Sequence, residues 1–541
     1  MSYFSIFSIL YMMAFLCEMA ENWRHPWFAL ASLILICPLI VTKATRLKFF
    51  LFLVTSTAYV LLFRFPEVAN HVNVILLINF SLIAGILYSW LRPTWTDDDY
   101  YRLMQPCLRL SMAIIYCFTG FHKLNRDFFH PQVSCIEEFF SQFVWLLEKS
   151  NVYLVPTVLI LVGAIALLHI KLFGNPLKQL TRPVQILILA AVSLTSVVLG
   201  RLIGIGYDAL PTRYLALIIV LVAAVVIIWE MVGGLMLLVP KTQGVMIAFS
   251  LAMHASFALI GFVDFSALAV AVLFTFVPIG YLKVLDDKAY ITLAGIRFHR
   301  VYAYVGILLV SFFLAAVHYK VYPILGPKIL TALFISGMFF NVAAVVFYWP
   351  ILSMLCSRQR LPWEGVPLFT STPTLSPSRL ATNSLTTTKV FALFFAGIVF
   401  FWGFKPYLGL RTAGTFSMFS NLRTEGEVSN HLLLSSNPLK VWGYQEDVVE
   451  VLEIDDETAR LGHKYRPLKG YILPTVEFRK LIYKWTKANY TVPITFVHGE
   501  QTYSTQDIVN DPTWKTPQRN WESYLMDFRI IQPGGANQCR W

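Results

Sequence analysis

The stretch CFTGFHKLNRDFF, Cys117 to Phe129, begins as the end of an apolar helix and finishes as a polar turn studded with aromatic rings. It sets an amine, Lys123, beside His122 at the end of a hydrophobic run. A charge there costs free energy unless it reaches water, finds a partner or gives up its proton. Gly120 leaves room for a second backbone to come close. Asn125, Arg126 and Asp127 close the turn. Whether this run crosses a membrane decides the fold.

Of 541 residues, 57% are apolar and 14% charged, and the mean hydropathy is +0.62. A chain of that kind cannot cover its apolar surface in water, so the expected class is an all-α polytopic membrane protein. The formal charge of +12 does not point to nucleic acid, because Lys and Arg sit mainly in short loops between apolar runs. Thirteen candidate spans lie near 3–17, 27–42, 49–63, 72–91, 107–124, 152–170, 183–203, 214–239, 244–260, 265–282, 301–319, 329–352 and 387–404. The first two are short for about 30 Å of hydrocarbon, so about 11–13 transmembrane helices are expected. No charged region precedes the first apolar run as a cleavable signal would require, and no internal repeat is visible.

If every span crosses and the N-terminus is cytoplasmic, the cytoplasmic junctions carry 17 Lys plus Arg against 8 on the other side. The positive-inside rule favours that arrangement. It puts the outer end of the fifth span, with Lys123, and the chain after Phe404 outside the cytoplasm. Residues 1–404 then form the membrane domain, and 361–389, rich in Pro, Ser and Thr, a flexible cytoplasmic loop. Residues 405–541 carry 16 basic and 15 acidic side chains and no apolar run long enough to span. They read as a small α+β extramembrane domain. Lys440–Tyr444 and Gly470–Pro474 read as strands. Glu477–Lys487 reads as an amphipathic helix with Phe478, Leu481, Ile482 and Trp485 on one face.

The seven cysteines show no Cys-x-x-Cys or Cys/His ligand spacing, so no metal is expected. Cys135 and Cys539 both fall on the outer side and are a candidate disulfide. Phosphate-binding glycine loops and nucleophile elbows are absent. Ionisable residues within or beside the spans are Arg109, Lys123, His169, Glu230, His254, His318 and Asp264. Taken singly, each is read as readily by snorkelling or an interhelical hydrogen bond as by function. Lys123 stands apart. A lysine withdrawn from water can be neutral and act as a base, and Glu230 is able to hold an amine.

Three ordered blocks carry a resemblance. YCFTGFHKLNRDF (116–128) resembles the tyrosine–glycine–lysine–leucine stretch of vitamin K-dependent γ-glutamyl carboxylases and, more closely, that of their bacterial relatives, the horizontally transferred transmembrane (HTTM) domain family. WEMVGGLMLLVPKT (229–242), followed by MHASFALIGF (253–262) and Asp264-Phe-Ser, is similar to that family's acidic, proline and histidine pattern. PYLGLRT (406–412) and FSMFSNLRTEG (416–426), then Asn430-His, resemble the bacterial members' post-membrane segment. The HTTM-like core is about 107–283, and no counterpart of the carboxylases' large lumenal module is visible.

The resemblance implies a bacterial inner-membrane lyase in which Lys123 deprotonates a reduced, menaquinol-like naphthoquinone delivered from the bilayer. With O2 the quinol ends as an epoxide, and the strong base formed on the way allows CO2 capture by a glutamate-type acceptor, here a protein or small molecule not identified by the sequence. His122, Glu230, His254 and Phe265 are the implied substrate contacts, with Lys123 and His254 in one cavity. Asn421, Arg423, Glu425, Asn430 and His431 form an implied polar lid over its mouth, or tie the tail to the membrane. Two other classes stand beside this reading. A non-catalytic scaffold or maturation factor would keep the fold and lose the quinol, and a transporter would use the buried charges as a path.

A reporter that works only after export, fused after Arg519, is expected to be active. Cytoplasmic activity of that fusion would reverse the orientation.

Overall fold

Apolar runs of this length satisfy their backbone groups most readily as helices, and most of the described residues before 405 are helical. The computed structural model describes residues 2–21, 44–65, 68–137, 212–259, 262–277, 290–293, 296–299, 368–369, 380–426, 428–435, 439–455, 468–515, 521–533, 536–537 and 539. The spans expected near 27–42, 152–170, 183–203, 301–319 and 329–352, with His169 and His318, lie outside the described residues. The described helices are α1 (Tyr3–Glu21), α2 (Arg46–Tyr59, extended by a π turn over Val60–Arg64), α3 (Asn70–Trp90) and α4 (Asp97–His122). Then come α5 (Thr212–Ile228, extended by a π turn over Trp229–Gly233), α6 (Pro240–Leu259), α7 (Val263–Leu273) and α8 (Leu380–Phe404). Among the described residues four helical stretches are long and apolar enough to cross a membrane: Arg46–Arg64, Asn70–Trp90, Ala216–Met236 and Thr386–Leu408. Between α7 and α8, Tyr290–Leu293 (β1) and Ile296–His299 (β2) pair as an antiparallel hairpin.

The helix that carries the opening stretch, α4, starts at a reciprocal cap. The Thr96 hydroxyl accepts the Asp99 N–H at 3.2 Å and the Asp99 carboxylate accepts the Thr96 N–H at 2.9 Å. Asp97, Asp98 and Asp99 complement the positive helix end. Most of α4 is buried. Arg109, expected to snorkel, is 1% exposed and donates from Nε to the Thr275 carbonyl at 2.8 Å. Exposed apolar side chains line the outward faces of α5 (Leu217, Leu221, Val225, Ile228) and α8 (Val390, Leu393, Phe394, Phe400).

The tail contains a four-stranded antiparallel sheet of order β4-β3-β5-β6, made of β3 (Val448–Ile454), β4 (Tyr471–Pro474), β5 (Ile494–His498) and β6 (Gln501–Thr505). The helix α9 (Thr475–Lys487) buries Phe478, Leu481, Ile482 and Trp485 against Val449, Val451, Leu473 and Phe496. That face is the one the sequence indicates. Two local expectations change. Lys440–Tyr444 is not a strand, because the Val441 and Trp442 N–H groups are taken by the Leu408 carbonyl and Gly443–Gln445 forms a 3-10 turn. Of the loop expected over 361–389, residues from Leu380 onward are instead the start of α8, past the last proline, Pro377.

The tail closes onto the segment that follows α4. Asn125 pairs with His431 as an isolated bridge, and the Leu432 N–H reaches the Leu124 carbonyl at 2.8 Å. Asp127 Oδ2 accepts from Asn430 Nδ2 at 2.8 Å and from the Asn537 N–H at 3.0 Å. Cys135 and Cys539 are joined by a disulfide across 404 residues. In the same region Phe416, Phe419 and Asn421 hold left-handed φ angles of 62°, 50° and 52°. Such conformations are sustained only by strong surroundings.

His431 is the hinge of this contact. Its Nε2 donates to the Phe121 carbonyl at 3.0 Å, and its Nδ1 accepts from the Leu433 and Leu434 N–H groups at 3.2 Å each. Burial lowers its pKa, and protonation would remove the only acceptor those two N–H groups have in the ring. A depressed folded-state pKa makes the contribution complete above the unfolded value of about 6.5 and lost as pH falls further. The thermal midpoint of the detergent-solubilised protein is therefore expected to drop between pH 7 and 5. The drop should be smaller in His431→Gln. An equal drop in both proteins would remove His431 from this role.

Candidate functional site: a buried lysine–glutamate pair

Two glycines set the distance between α4 and α5. A Cβ at Gly120 would lie 2.6 Å from Met231 Cγ and 3.0 Å from Glu230 Cβ, and one at Gly234 would lie 2.9 Å from Tyr116 Cβ. The helices approach this closely only because neither glycine has a side chain. The facing residues, Trp229–Gly233, form the π turn of α5. The wider turn changes which residues of α5 face α4 below and above it.

Into this contact come the two charges. Lys123 Nζ lies 2.8 Å from each oxygen of Glu230 and 3.3 Å from the Thr119 carbonyl. Lys123 is 5% exposed and Glu230 6%. The sequence suggests an amine able to lose its proton and leaves open whether Glu230 holds it or packs beside Gly233 and Gly234. In the structure the carboxylate chelates that amine. The proton shared by the pair rests either as ammonium–carboxylate, which their attraction favours, or as amine–carboxylic acid, which a low dielectric favours. In both forms the two groups act as one unit.

Glu230 also lines a small apolar cavity of about 40 Å³, together with Tyr116, Thr119, Trp229, His254 and Phe265. Lys123 stands behind Glu230 and is not part of the wall. His254 Nε2 and Tyr116 Oη are 2.8 Å apart, and the His254 and Phe265 rings meet edge to face at 4.9 Å. Two polar atoms of cavity-lining residues, His254 Nδ1 and Trp229 Nε1, are buried with no hydrogen-bond partner among the described residues. The cavity thus has Glu230 of the pair in its wall, and two of its lining residues carry a polar atom with no partner among the described residues.

The remaining sequence-derived candidates lie elsewhere. His122 turns to the other side of α4, where Nε2 meets the Gly403 carbonyl at 3.1 Å and the ring packs on Tyr407. That is the 100° step between neighbours on a helix. Asn421 ties Val133, Cys135 and Asn537 together, and its contacts are structural. Arg423 lines a separate open groove of about 590 Å³ on the tail, with Glu446, Glu450 and His498. Glu425 accepts from Thr412 Oγ1, Thr424 N–H and Arg529 N–H. The 416–421 segment does reach the helix ends, since Phe419 packs on Phe262 at 5.0 Å and the Ser417 N–H donates to Asn70 Oδ1 at 3.1 Å. Tyr116 is the tyrosine of the stretch that carries the resemblance, whereas Thr119 and Trp229 were not singled out by the sequence. Their signal is position only: Thr119 lies one helical turn before Lys123, and Trp229 precedes Glu230.

No protein-family model, curated protein or solved structure matches the chain.

Removing one partner of a buried pair leaves the other charge uncompensated, at a cost of about 3–5 kcal/mol. Glu230→Leu is expected to lower unfolding stability by that amount, and Lys123→Met by less, because a carboxyl can take up a proton. The double variant should recover most of the loss in chemical denaturation. Additive losses would show that the two groups do not act as a pair.

Proposed function

We propose that this chain is a multi-pass membrane protein with a cytoplasmic N-terminus and its tail outside the cytoplasm, and that it acts as an enzyme on a lipid-soluble quinol. The four long apolar helices, the outward-facing apolar side chains and the 17-to-8 charge asymmetry support the first part. The observation that carries the second is the buried Lys123–Glu230 pair, whose carboxylate forms a wall of an apolar cavity. The ligand class suggested by the resemblance is a reduced naphthoquinone. When bound, such a quinol supplies an acidic hydroxyl and, with O2, ends as its epoxide and water.

The residues present fit part of that ligand. His254 Nδ1 and Trp229 Nε1 are polar partners for ring oxygens, and Phe257 and Phe265 are apolar faces for a ring. The volume of about 40 Å³ holds a few waters and no bicyclic ring, so the cavity must widen before a quinol enters. In this reading Glu230 receives the hydroxyl proton and Lys123 holds the resulting charge in place. The Lys123–Glu230 unit replaces the lone lysine base. Tyr116 fixes the His254 ring through its hydrogen bond. Coupling to carboxylation of an acceptor is the finer part of the proposal.

A non-catalytic scaffold is the second reading, and the cavity size and the engagement of Asn421 and His431 in holding the tail favour it. The two separate in an epoxide-formation assay with the wild-type protein in lipid vesicles. Under the enzymatic reading, Glu230→Gln lowers the rate by about 10²–10⁴-fold, the usual contribution of a general base. Lys123→Met also lowers it by removing the charge, with Lys123→Arg less affected because the charge stays. Wild-type protein that neither binds nor turns over any naphthoquinol would remove the enzymatic reading and leave the scaffold.

A further inference from the structure

Away from the lysine–glutamate pair, four helix ends bring ionisable side chains to one buried point. Glu18 lies in the last turn of α1, Arg64 ends the π turn of α2, His71 lies in the first turn of α3 and Asp264 in the first turn of α7. Glu18 is 1% exposed, His71 8% and Asp264 2%. His71 Nε2 is 2.7 Å from Glu18 Oε2 and 2.7 Å from Asp264 Oδ2. Ligand atoms of the three side chains all lie within 4.8 Å of one another.

Each carboxylate is held by one oxygen and presents the other. Arg64 Nη1 grips Glu18 Oε1 at 2.9 Å, leaving Oε2 toward His71. The Phe265 N–H grips Asp264 Oδ1 at 2.6 Å, leaving Oδ2 toward His71. An imidazole nitrogen carries at most one hydrogen, so His71 Nε2 cannot give a straight hydrogen bond to both oxygens. Two carboxylate oxygens turned to one point in a low dielectric repel one another. A cation between them removes that repulsion. Outer donors that fix the free orientation of each ligand are what metal centres regularly have.

We propose that Glu18, His71 and Asp264 bind a first-row divalent metal ion, with Arg64 and the Phe265 amide as the groups that orient the carboxylates. One imidazole and two carboxylates suit zinc, manganese or iron(II) better than copper(I), which seeks sulfur, or magnesium, which seeks oxygen alone. Bonds of about 2.1 Å around a tetrahedral ion set neighbouring ligand atoms about 3.4 Å apart. His71 Nε2, 2.7 Å from each carboxylate oxygen, reaches that spacing by drawing back about 0.7 Å from each. Two carboxylates, one guanidinium and a divalent ion with neutral His71 leave one positive charge. A hydroxide or another anion in an open coordination position balances it. Asp264 adjoins Phe265, which lines the cavity, so the centre stands one residue from the wall of the proposed quinol site.

The sequence gives no spacing motif here, because each ligand comes from a different helix. The competing closure of the charge is by protons, either on His71 or in a hydrogen bond between the Glu18 and Asp264 carboxyls, with no metal bound.

The test uses the full chain purified in detergent without chelator. Elemental mass spectrometry is expected to find about one equivalent of a first-row divalent metal, because three protein ligands with a held second shell retain such ions. After chelation, added Co²⁺ should give visible d–d absorption. His71→Ala and Asp264→Asn should abolish both signals, and Arg64→Gln should weaken metal affinity by about 10–100-fold. Lys123→Met should leave the metal in place. Elution as a single species with the Cys135–Cys539 disulfide intact checks that each variant is folded. Wild-type protein with no stoichiometric metal and no cobalt band would overturn the site and leave closure by protons, as would His71→Ala protein that keeps its metal. Metal-loaded protein inert toward quinols supports this centre and removes the quinol reading, so the two stand or fall separately.

Discussion

Two opposite charges withdrawn from water between α4 and α5 constrain everything built around them. Burying Lys123 and Glu230 is tolerable only with both oxygens in contact with the amine, and that contact requires helices closer than side chains normally permit. Gly120 and Gly234 supply the space, and the π turn carries Glu230 at the crossing. Thr119 adds a carbonyl to the ammonium. The residues just after Lys123 are then fixed as well. Their outward-turned backbone groups become the surface on which the tail sits, so one ion pair links the helical part of the chain to the sheet domain.

The sequence made some of this legible. An apolar chain with so few charges reads as helical and membrane-like from its composition alone. The face of α9 follows from residues spaced at three and four, because an amphipathic helix advertises its buried side. Lys123 is conspicuous for the same reason, being a charge where the pattern is apolar. Glu230 and His254 come from the resemblance and from their burial in apolar runs, and the structure brings both to the Lys123 region. What could not be read is what depends on non-local geometry. The chelation of the amine by Glu230 turns on a π turn, which leaves no mark in a hydropathy pattern. The convergence of Glu18, His71 and Asp264 turns on the order in which helices pack. Lys440–Tyr444 alternates like a strand, yet a single distant carbonyl, that of Leu408, captures its donors. For Asn421, Arg423 and His431 the sequence leaves two roles open, a polar lid over a substrate or a tie for the tail. Asn421 and His431 serve the backbone, as polar residues in irregular segments often must.

Segment 416–421 shows how irregularity is kept. Three residues other than glycine in left-handed conformations would unwind if unsupported. Arg529 holds the segment from one side through the Ser417 and Leu422 carbonyls, and Asn125 holds it from the other through the Ser420 carbonyl. Asn421 then reaches past both to the disulfide-bearing loop. The strain is distributed over contacts from parts of the chain about 100 to 300 residues apart.

The span of 404 residues between Cys135 and Cys539 bears on how the protein is made. At ribosomal speeds of about 5–20 residues per second, Cys135 waits roughly 20–80 s for its partner. Throughout that interval Asn125, Asp127 and the carbonyls after α4 have no tail to bind, and the thiol is open to other oxidants and other cysteines. Closure of this disulfide is therefore a late, oxidative step that follows synthesis of nearly the whole chain. A cell that makes every helix correctly but lacks thiol-oxidising capacity where Cys135 meets Cys539 would accumulate an unsealed form.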